Sequence, residues 1–121
     1  MSIQSYKDLD VWQKAMDFVV DCYKATQAFP KEENYGLTSQ LQRAAVSVPA
    51  NIAEGRELQS SKQFLKHIAI AYASLAEAET HILIAHRLKY IDKELVEQLS
   101  NKITEIGKML NGLRKSIEKR E

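Results

Sequence analysis

Three histidines (His67, His81, His86), one cysteine (Cys22) and the neighbouring carboxylates Glu77 and Glu79 are the side chains whose types could carry chemistry. A carboxylate-bridged dimetal site in a helical protein needs Glu-x-x-His on facing helices. Here Thr80 stands three residues beyond Glu77, and Ile82 three beyond Glu79. On a helix through this region His67 and His81 point largely outward and His86 stands near the core edge, so no pair builds a metal site. Cys22 has no His or second Cys at ligand or catalytic spacing and reads as core packing. There is no Gly-rich phosphate loop, no Cys-x-x-Cys and no Ser/His/Asp arrangement with a plausible elbow. The expectation is a chain with no catalytic, metal or cofactor-binding residues, and not an enzyme.

Two features of charge remain. Glu79 falls within an apolar helical arc, whereas Glu77 points outward. A carboxylate so placed needs a partner or a raised pKa, and Arg43, bordering the core face of the preceding helix, is the expected partner. The whole chain is nearly neutral, with 17 basic and 16 acidic residues and a net charge of +1. Any nucleic-acid site must therefore be local. The candidate cations lie near helix ends: Lys62, Lys66, Arg87 and Lys89, then Arg114, Lys115, Lys119 and Arg120. Copies of the chain arranged in a ring would multiply such a patch into a substantial field. It would support backbone contact with RNA without sequence readout.

The elements that must position these groups are helices. Asp8 is expected to cap a first helix from Leu9 to about Ala28. Leu9, Trp12, Met16, Val19 and Tyr23 follow the helical rhythm, and Val11, Ala15, Phe18 and Cys22 widen the apolar arc to half the circumference. Phe29-Pro30 ends it, and Lys31 to Tyr35 reads as a loop. The second helix runs from Gly36-Leu37 to about Glu54, with Gly55 suited to the position just past its end. Ser60-x-x-Gln63 is a capping-box pattern for a third helix reaching Leu88. Its inner face carries Phe64, Ile68, Ala71, Tyr72, Leu75, Ala78, Ile82 and Leu83. Asp92 can cap a fourth helix, whose Leu95, Leu99, Ile103, Ile106, Leu110, Leu113 and Ile117 form one narrow stripe.

The stretch Gln40 to Gly55, QLQRAAVSVPANIAEG, is the most informative. Leu41, Ala44, Ala45, Val48 and Ile52 share one face, Gln40, Arg43, Ser47, Asn51 and Glu54 a polar stripe, and Val46, Ala50 and Ala53 a third, small apolar face. Pro49 lacks the N–H that would bond the carbonyl of Ala45, and its ring crowds that carbonyl. Val48 is a poor cap and no glycine adjoins it, so one continuous helix kinked at Pro49 is expected, not two helices.

Short connections argue for an all-α, up-down-up-down antiparallel four-helix bundle with a Pro-kinked second helix, one domain over residues 1–121. The first three helices carry apolar arcs too wide for one small core, which points to a homo-oligomer. A single cysteine excludes a disulfide framework and suits a reducing cytoplasm. There is no signal core at the N-terminus, and no apolar run approaches the ~18 residues of a membrane span.

The chain resembles a four-helix-bundle family labelled S23 ribosomal protein, encoded within intervening sequences of bacterial 23S ribosomal RNA genes. The resemblance is carried by Asp8-Leu9-Asp10-Val11-Trp12-Gln13-Lys14-Ala15, by Phe29-Pro30 through Tyr35-Gly36-Leu37, by Gln40–Gly55 and by Ala73-Ser74-Leu75-Ala76-Glu77-Ala78-Glu79. It implies a cytoplasmic bundle that assembles as a homopentamer. It also implies kinship with the accessory protein of diversity-generating retroelements, which binds nucleic acid and a reverse transcriptase. No enzymatic activity attaches to the family. The chain departs from it in having Gln42-Arg43 where two basic residues are common, and Arg56-Glu57 where a basic run follows the glycine. Two functions stay open: an RNA- or ribonucleoprotein-associated accessory protein, and a helical protein-interaction scaffold without nucleic acid.

Overall fold

Helix caps and apolar spacing set the element boundaries. A computed structural model describes residues 5–120. Four helices follow: α1 Asp10–Thr26, α2 Leu37–Glu57, α3 Ser61–Arg87 and α4 Lys93–Glu118. Each packs against its chain neighbours, and α4 closes back on α1, which sets α1 diagonally across from α3 and α2 across from α4. This is the up-down-up-down antiparallel bundle, with α2 against α3 as its most intimate pair.

Two of the three expected caps form. Ser60 Oγ accepts the Gln63 amide at 3.3 Å, and Asp92 Oδ1 accepts the Leu95 amide at 2.9 Å. Asp8 does not cap α1. It lies in a 3-10 turn, Tyr6–Asp8, capped by Ser5, and the extended backbone that a cap requires belongs to Leu9 (φ −78°, ψ 124°). A second 3-10 turn, Lys31–Glu33, replaces part of the expected loop. There Glu33 caps α2 from outside the helix: its Oε1 accepts the Leu37 amide at 3.1 Å, and its Oε2 accepts the Tyr90 hydroxyl at 2.8 Å. The α3–α4 connection is thereby tied to the α1–α2 connection. The Leu37 amide, then the Tyr90 hydroxyl, hold the Glu33 carboxyl below its ordinary 4.5, while the same contact raises Tyr90 above 10.

α2 runs without a break through Pro49, as the poor capping of Val48 implies, and Pro49 itself is buried. The helix does not stop at Gly55. It continues to Glu57, and the left-handed residue past its end is Gln59 (φ 55°). Gly55 serves packing instead: a Cβ there would lie 2.7 Å from His67 Cβ and 3.1 Å from Phe64 Cδ1. α3 ends in a Schellman arrangement around Lys89 (φ 66°), whose amide reaches His86 O at 2.9 Å while the Tyr90 amide reaches Ala85 O at 2.9 Å.

The core is built from Val11, Ala15, Phe18 and Cys22 of α1, Leu41, Ala45, Val48 and Ile52 of α2, Ile68, Leu75 and Ile82 of α3, and Leu99, Ile106, Leu110 and Ile117 of α4. On α1 the buried line is therefore the one expected only to widen the arc. Met16 and Tyr23, placed on the leading stripe, are 40% and 44% exposed, and Tyr72 and Leu83 of α3 also face out. Burial pushes the Cys22 thiol up to about 12, with Asp21 adding to the rise and Lys102 opposing it. A thiol so held is an inert packing group.

By length and composition α3 could cross a membrane, which no apolar run in the chain was expected to approach. In this bundle it lines the core along one face only. Ile68, Ala71, Leu75, Ala78, Ile82 and Ala85 pack inward, and its ends carry Lys62, Lys66, Arg87 and Lys89.

Candidate nucleic-acid interface

Antiparallel packing sorts the eight predicted cations into two sets. The start of α3 and the end of α4 share one pole, which gathers Lys62, Lys66, Arg114, Lys115, Lys119 and Arg120. Arg87 and Lys89 sit at the other end of α3, a 27-residue helix about 40 Å long, so most of its length separates the two sets. They cannot form one patch on a single subunit. All eight are exposed except Arg114, which is half-buried. Arg114 is also partly engaged, its Nη1 lying 3.1 Å from Glu118 Oε1 one turn on. An exposed pair of this kind holds its partner weakly and leaves the charge available to a polyanion.

Sequence reasoning missed Arg56. With α2 expected to end at Glu54, Arg56 fell outside the helix. The extra turn instead aims it at the same pole, where it lines a cavity of about 500 Å³ with Arg120, Ser60, Ser61 and Gln59 above an apolar floor of Leu9, Phe64, Leu113 and Ile117. The signal lay in the absence of any real stop before Gln59. A lone Gly inside a helical pattern is compatible with continuation.

The expected Arg43–Glu79 pair does not form. Arg43 is exposed and lines a groove between α2 and α3 with Gln40, Ser47 and Glu77, whereas Glu79 lines a groove between α3 and α4 with Tyr72 and Lys108. Residues 77 and 79 are about 200° apart on a helix. They border the buried arc from opposite sides, and only Glu77 borders α2. Glu79 is half-buried and beside solvent, so it needs no internal cation.

The α2–α3 seam carries polar groups that the apolar pattern did not announce. Ser74 Oγ donates to Ser47 Oγ at 2.8 Å. Asn51 Nδ2 donates to Ser47 O at 2.8 Å, and His67 Nδ1 donates to Asn51 Oδ1 at 2.9 Å. His81, expected outside, is buried in the same seam, with its Nε2 3.5 Å from Glu77 Oε2. Small serines let the two helices approach, and the histidines fill the space beside them. No three His, Cys, Asp or Glu side chains converge as a metal site among the described residues.

The profile of the 23S rRNA-intervening sequence protein family matches residues 7–112. The chain belongs to that family. A comparison with curated proteins finds no match. Among solved structures, the chain is similar to a protein with unknown function from the S23 ribosomal protein family of Bacteroides thetaiotaomicron. The two are 30% identical with a TM-score of 0.77, over 87% of this chain and 98% of that one. The family match covers α1 to α3 whole and all of α4 but its last turns, so Arg114, Lys115, Lys119 and Arg120, four of the six predicted cations at this pole, lie beyond it.

Proposed function

We propose that the chain is a non-enzymatic, homo-oligomeric accessory protein of the cytoplasm that associates with RNA or a ribonucleoprotein. The observation that carries this reading is the gathering of Arg56, Lys62, Lys66, Lys115, Lys119 and Arg120 at one pole of a chain that is nearly neutral as a whole. A polyanion contacted there releases counterions, which makes binding steeply salt-dependent and weakly sequence-dependent. The family's name supports RNA as the polyanion. Large hydrophobic residues left exposed on α1, α2 and α3 support self-association, and the resemblance implies five subunits. The bend proposed at Pro49 would shape that face.

The test is retention of ribosomal RNA fragments in a gel across a salt series. Replacing Arg114, Lys115, Lys119 and Arg120 by Gln should reduce the slope of log affinity against log salt by about 3, with helicity and assembly unchanged. Replacing Arg87 and Lys89 at the other pole should leave the slope as it was. The exposed apolar side chains also favour a second reading, a protein-interaction scaffold. An intact oligomer with no RNA affinity at low salt would decide for it.

A further inference from the structure

We propose that the groove between α3 and α4 receives the outer face of α1 from a second copy of the chain, pairing Lys108 with Asp17 of the partner subunit and Glu79 with Lys24 of the partner subunit. The contact deepens the homo-oligomeric reading and rests on it. Tyr72, Ala76 and Glu79 form one wall of the groove, and Thr104, Gly107 and Lys108 the other. Tyr72, Ala76, Thr104 and Lys108 are exposed, and Glu79 is half-buried. Among the described residues, neither Glu79 nor Lys108 has an ion pair within the bundle. A carboxylate and an ammonium thus share one groove without meeting. Gly107 is an independent sign. Glycine inside a helix is less favourable than alanine. At Gly55 a clash requires it, but a Cβ at Gly107 would meet only Tyr72 Cε2, at an ordinary 3.6 Å. Packing within the bundle gives no reason for glycine there. The missing side chain leaves a seat in the groove at which another helix can approach closely.

The matching shape is a helix with an apolar side chain between an acid and a base. The outer face of α1 presents Asp17, Val20 and Lys24, spaced three and four residues apart and so neighbours on one side. Val20 is 52% exposed. The flanking Lys14 and Asp21 are engaged with Glu105 and Lys102 of α4, whereas Asp17 and Lys24 have no such partner among the described residues. Direction and level agree as well. In an up-down-up-down bundle α1 runs parallel to α3. The pairs Lys14–Glu105 and Asp21–Lys102 set Asp17 level with Thr104 and Lys24 level with Glu97. The approach of Gly107 to Tyr72 sets those two levels at Leu75 and Ile82 of α3. A copy related by rotation about an axis along the bundle keeps these levels. Its Asp17 then falls within about one turn of Lys108 and its Lys24 within about one turn of Glu79, both offset toward the same pole. The flexible lysine stems cover such an offset. Acid then base along α1 meets base then acid along the groove. A copy running the other way would bring like charges together, so the two pairs also fix the direction of packing.

Sedimentation equilibrium of the full-length protein, with circular dichroism as the control for folding, tests the contact. Lys108→Glu and Asp17→Lys should each raise the concentration of half-dissociation about tenfold, since each turns an attraction into a repulsion. Both changes in one chain should bring it back to within about twofold of the parent, because the pair re-forms with its signs exchanged. Lys24→Glu and Glu79→Lys should behave as a second pair of the same kind. Gly107→Leu should remain helical and weaken assembly, since it fills the seat that Val20 of the partner subunit takes. The contact is overturned if the parent is an oligomer that ignores the single reversals, or if the double reversal assembles no better than the weaker single one. Either result leaves the groove to a partner of other chemistry and keeps self-association through the face around Val46. A parent that stays monomeric overturns the contact together with the homo-oligomeric reading.

Discussion

Gly55 shows how one missing side chain can hold two helices together. Its backbone is helical, so alanine would gain up to about 1 kcal/mol in helix propensity. The added Cβ, however, would sit 2.7 Å from the stem of His67, which cannot swing aside as a flexible tip could. Overpacking of this kind costs about 1–3 kcal/mol, and the clash outweighs the propensity. Gly55→Ala is therefore expected to lower stability by about 1–2 kcal/mol net, read as a reduced urea midpoint at unchanged slope. An equal or higher midpoint would mean that α2 and α3 separate freely at this crossing. Glu33 acts at the same scale through its charge. Its folded carboxyl lies below the ordinary 4.5, chiefly because the Leu37 amide and then the Tyr90 hydroxyl favour the charged form. A depressed carboxyl stabilises fully above its unfolded value, and that contribution is lost as pH falls through its folded value. The parent should thus melt above Glu33→Gln at neutral pH, and the gap should close as the solution is taken well below pH 4.5. Tyr90, raised above 10, contributes fully at neutral pH and loses its part only in strong alkali.

Pro49 poses the corresponding question for a whole helix. Proline in a helix interior costs about 3 kcal/mol through the absent N–H and the crowded carbonyl. Its buried ring recovers part of that, at roughly 0.8 kcal/mol for each methylene removed from water. Pro49→Ala restores a donor for the carbonyl of Ala45, so the variant should be folded and at least as helical by circular dichroism. If the proposed bend shapes the oligomer face, the variant should dissociate at higher protein concentration than the parent. Assembly equal to the parent's, with helicity raised, would exclude the bend from the interface. The contrast between α1 and α4 shows which properties of an element its sequence discloses. The α4 stripe is narrow, and Leu99, Ile103, Ile106, Leu110 and Ile117 are all buried as the spacing predicts. The apolar arc of α1 covers half the helix, so periodicity cannot choose its centre. The large side chains Trp12, Met16 and Tyr23 drew the expected stripe away from the smaller Val11, Ala15 and Cys22 that face the core. The candidate interface was legible to the same degree. Its cations were visible as types, but their division between two poles depends on which helix ends meet. Arg56 joins them only because α2 continues through Gly55. His81 and Ser74 were missed because polarity was taken as a sign of exposure, whereas in the α2–α3 seam each finds a polar neighbour.

Across the whole molecule the exposed hydrophobic side chains are unevenly shared. Met16, Val20 and Tyr23 of α1, Val46 of α2, and Ile70, Tyr72, Leu83 and Ile84 of α3 are all exposed by 39% or more. Among the described residues α4 exposes no large hydrophobic side chain to that extent, and its outer face carries Glu94, Glu97, Lys102, Glu105 and Lys108. Single exposed apolar residues are ordinary on a protein surface. Three helices that expose them beside a fourth that does not describe a molecule with one wet side and another side suited to burial. α2 lies between α1 and α3 in the bundle, so Val46, with the small Ala50 and Ala53 near it in the helix, occupies the middle of that second side. Small residues there let another helix approach closely. A charge introduced at this position should therefore oppose association while leaving the core, to which Val46 does not belong, intact. Sedimentation equilibrium at micromolar concentration should report an oligomer, with the pentamer that the resemblance implies as the specific expectation. Val46→Glu should shift the population toward monomer with little change in helicity, because taking a carboxylate out of water at an apolar interface is costly. Glu105→Lys on the wet side of α4, opposite in sign and equally exposed, should leave the mass distribution unchanged. A parent protein that sediments as a stable monomer would show that the bundle tolerates its apolar side in water. The cationic pole would then act one subunit at a time, without the added field of neighbouring copies.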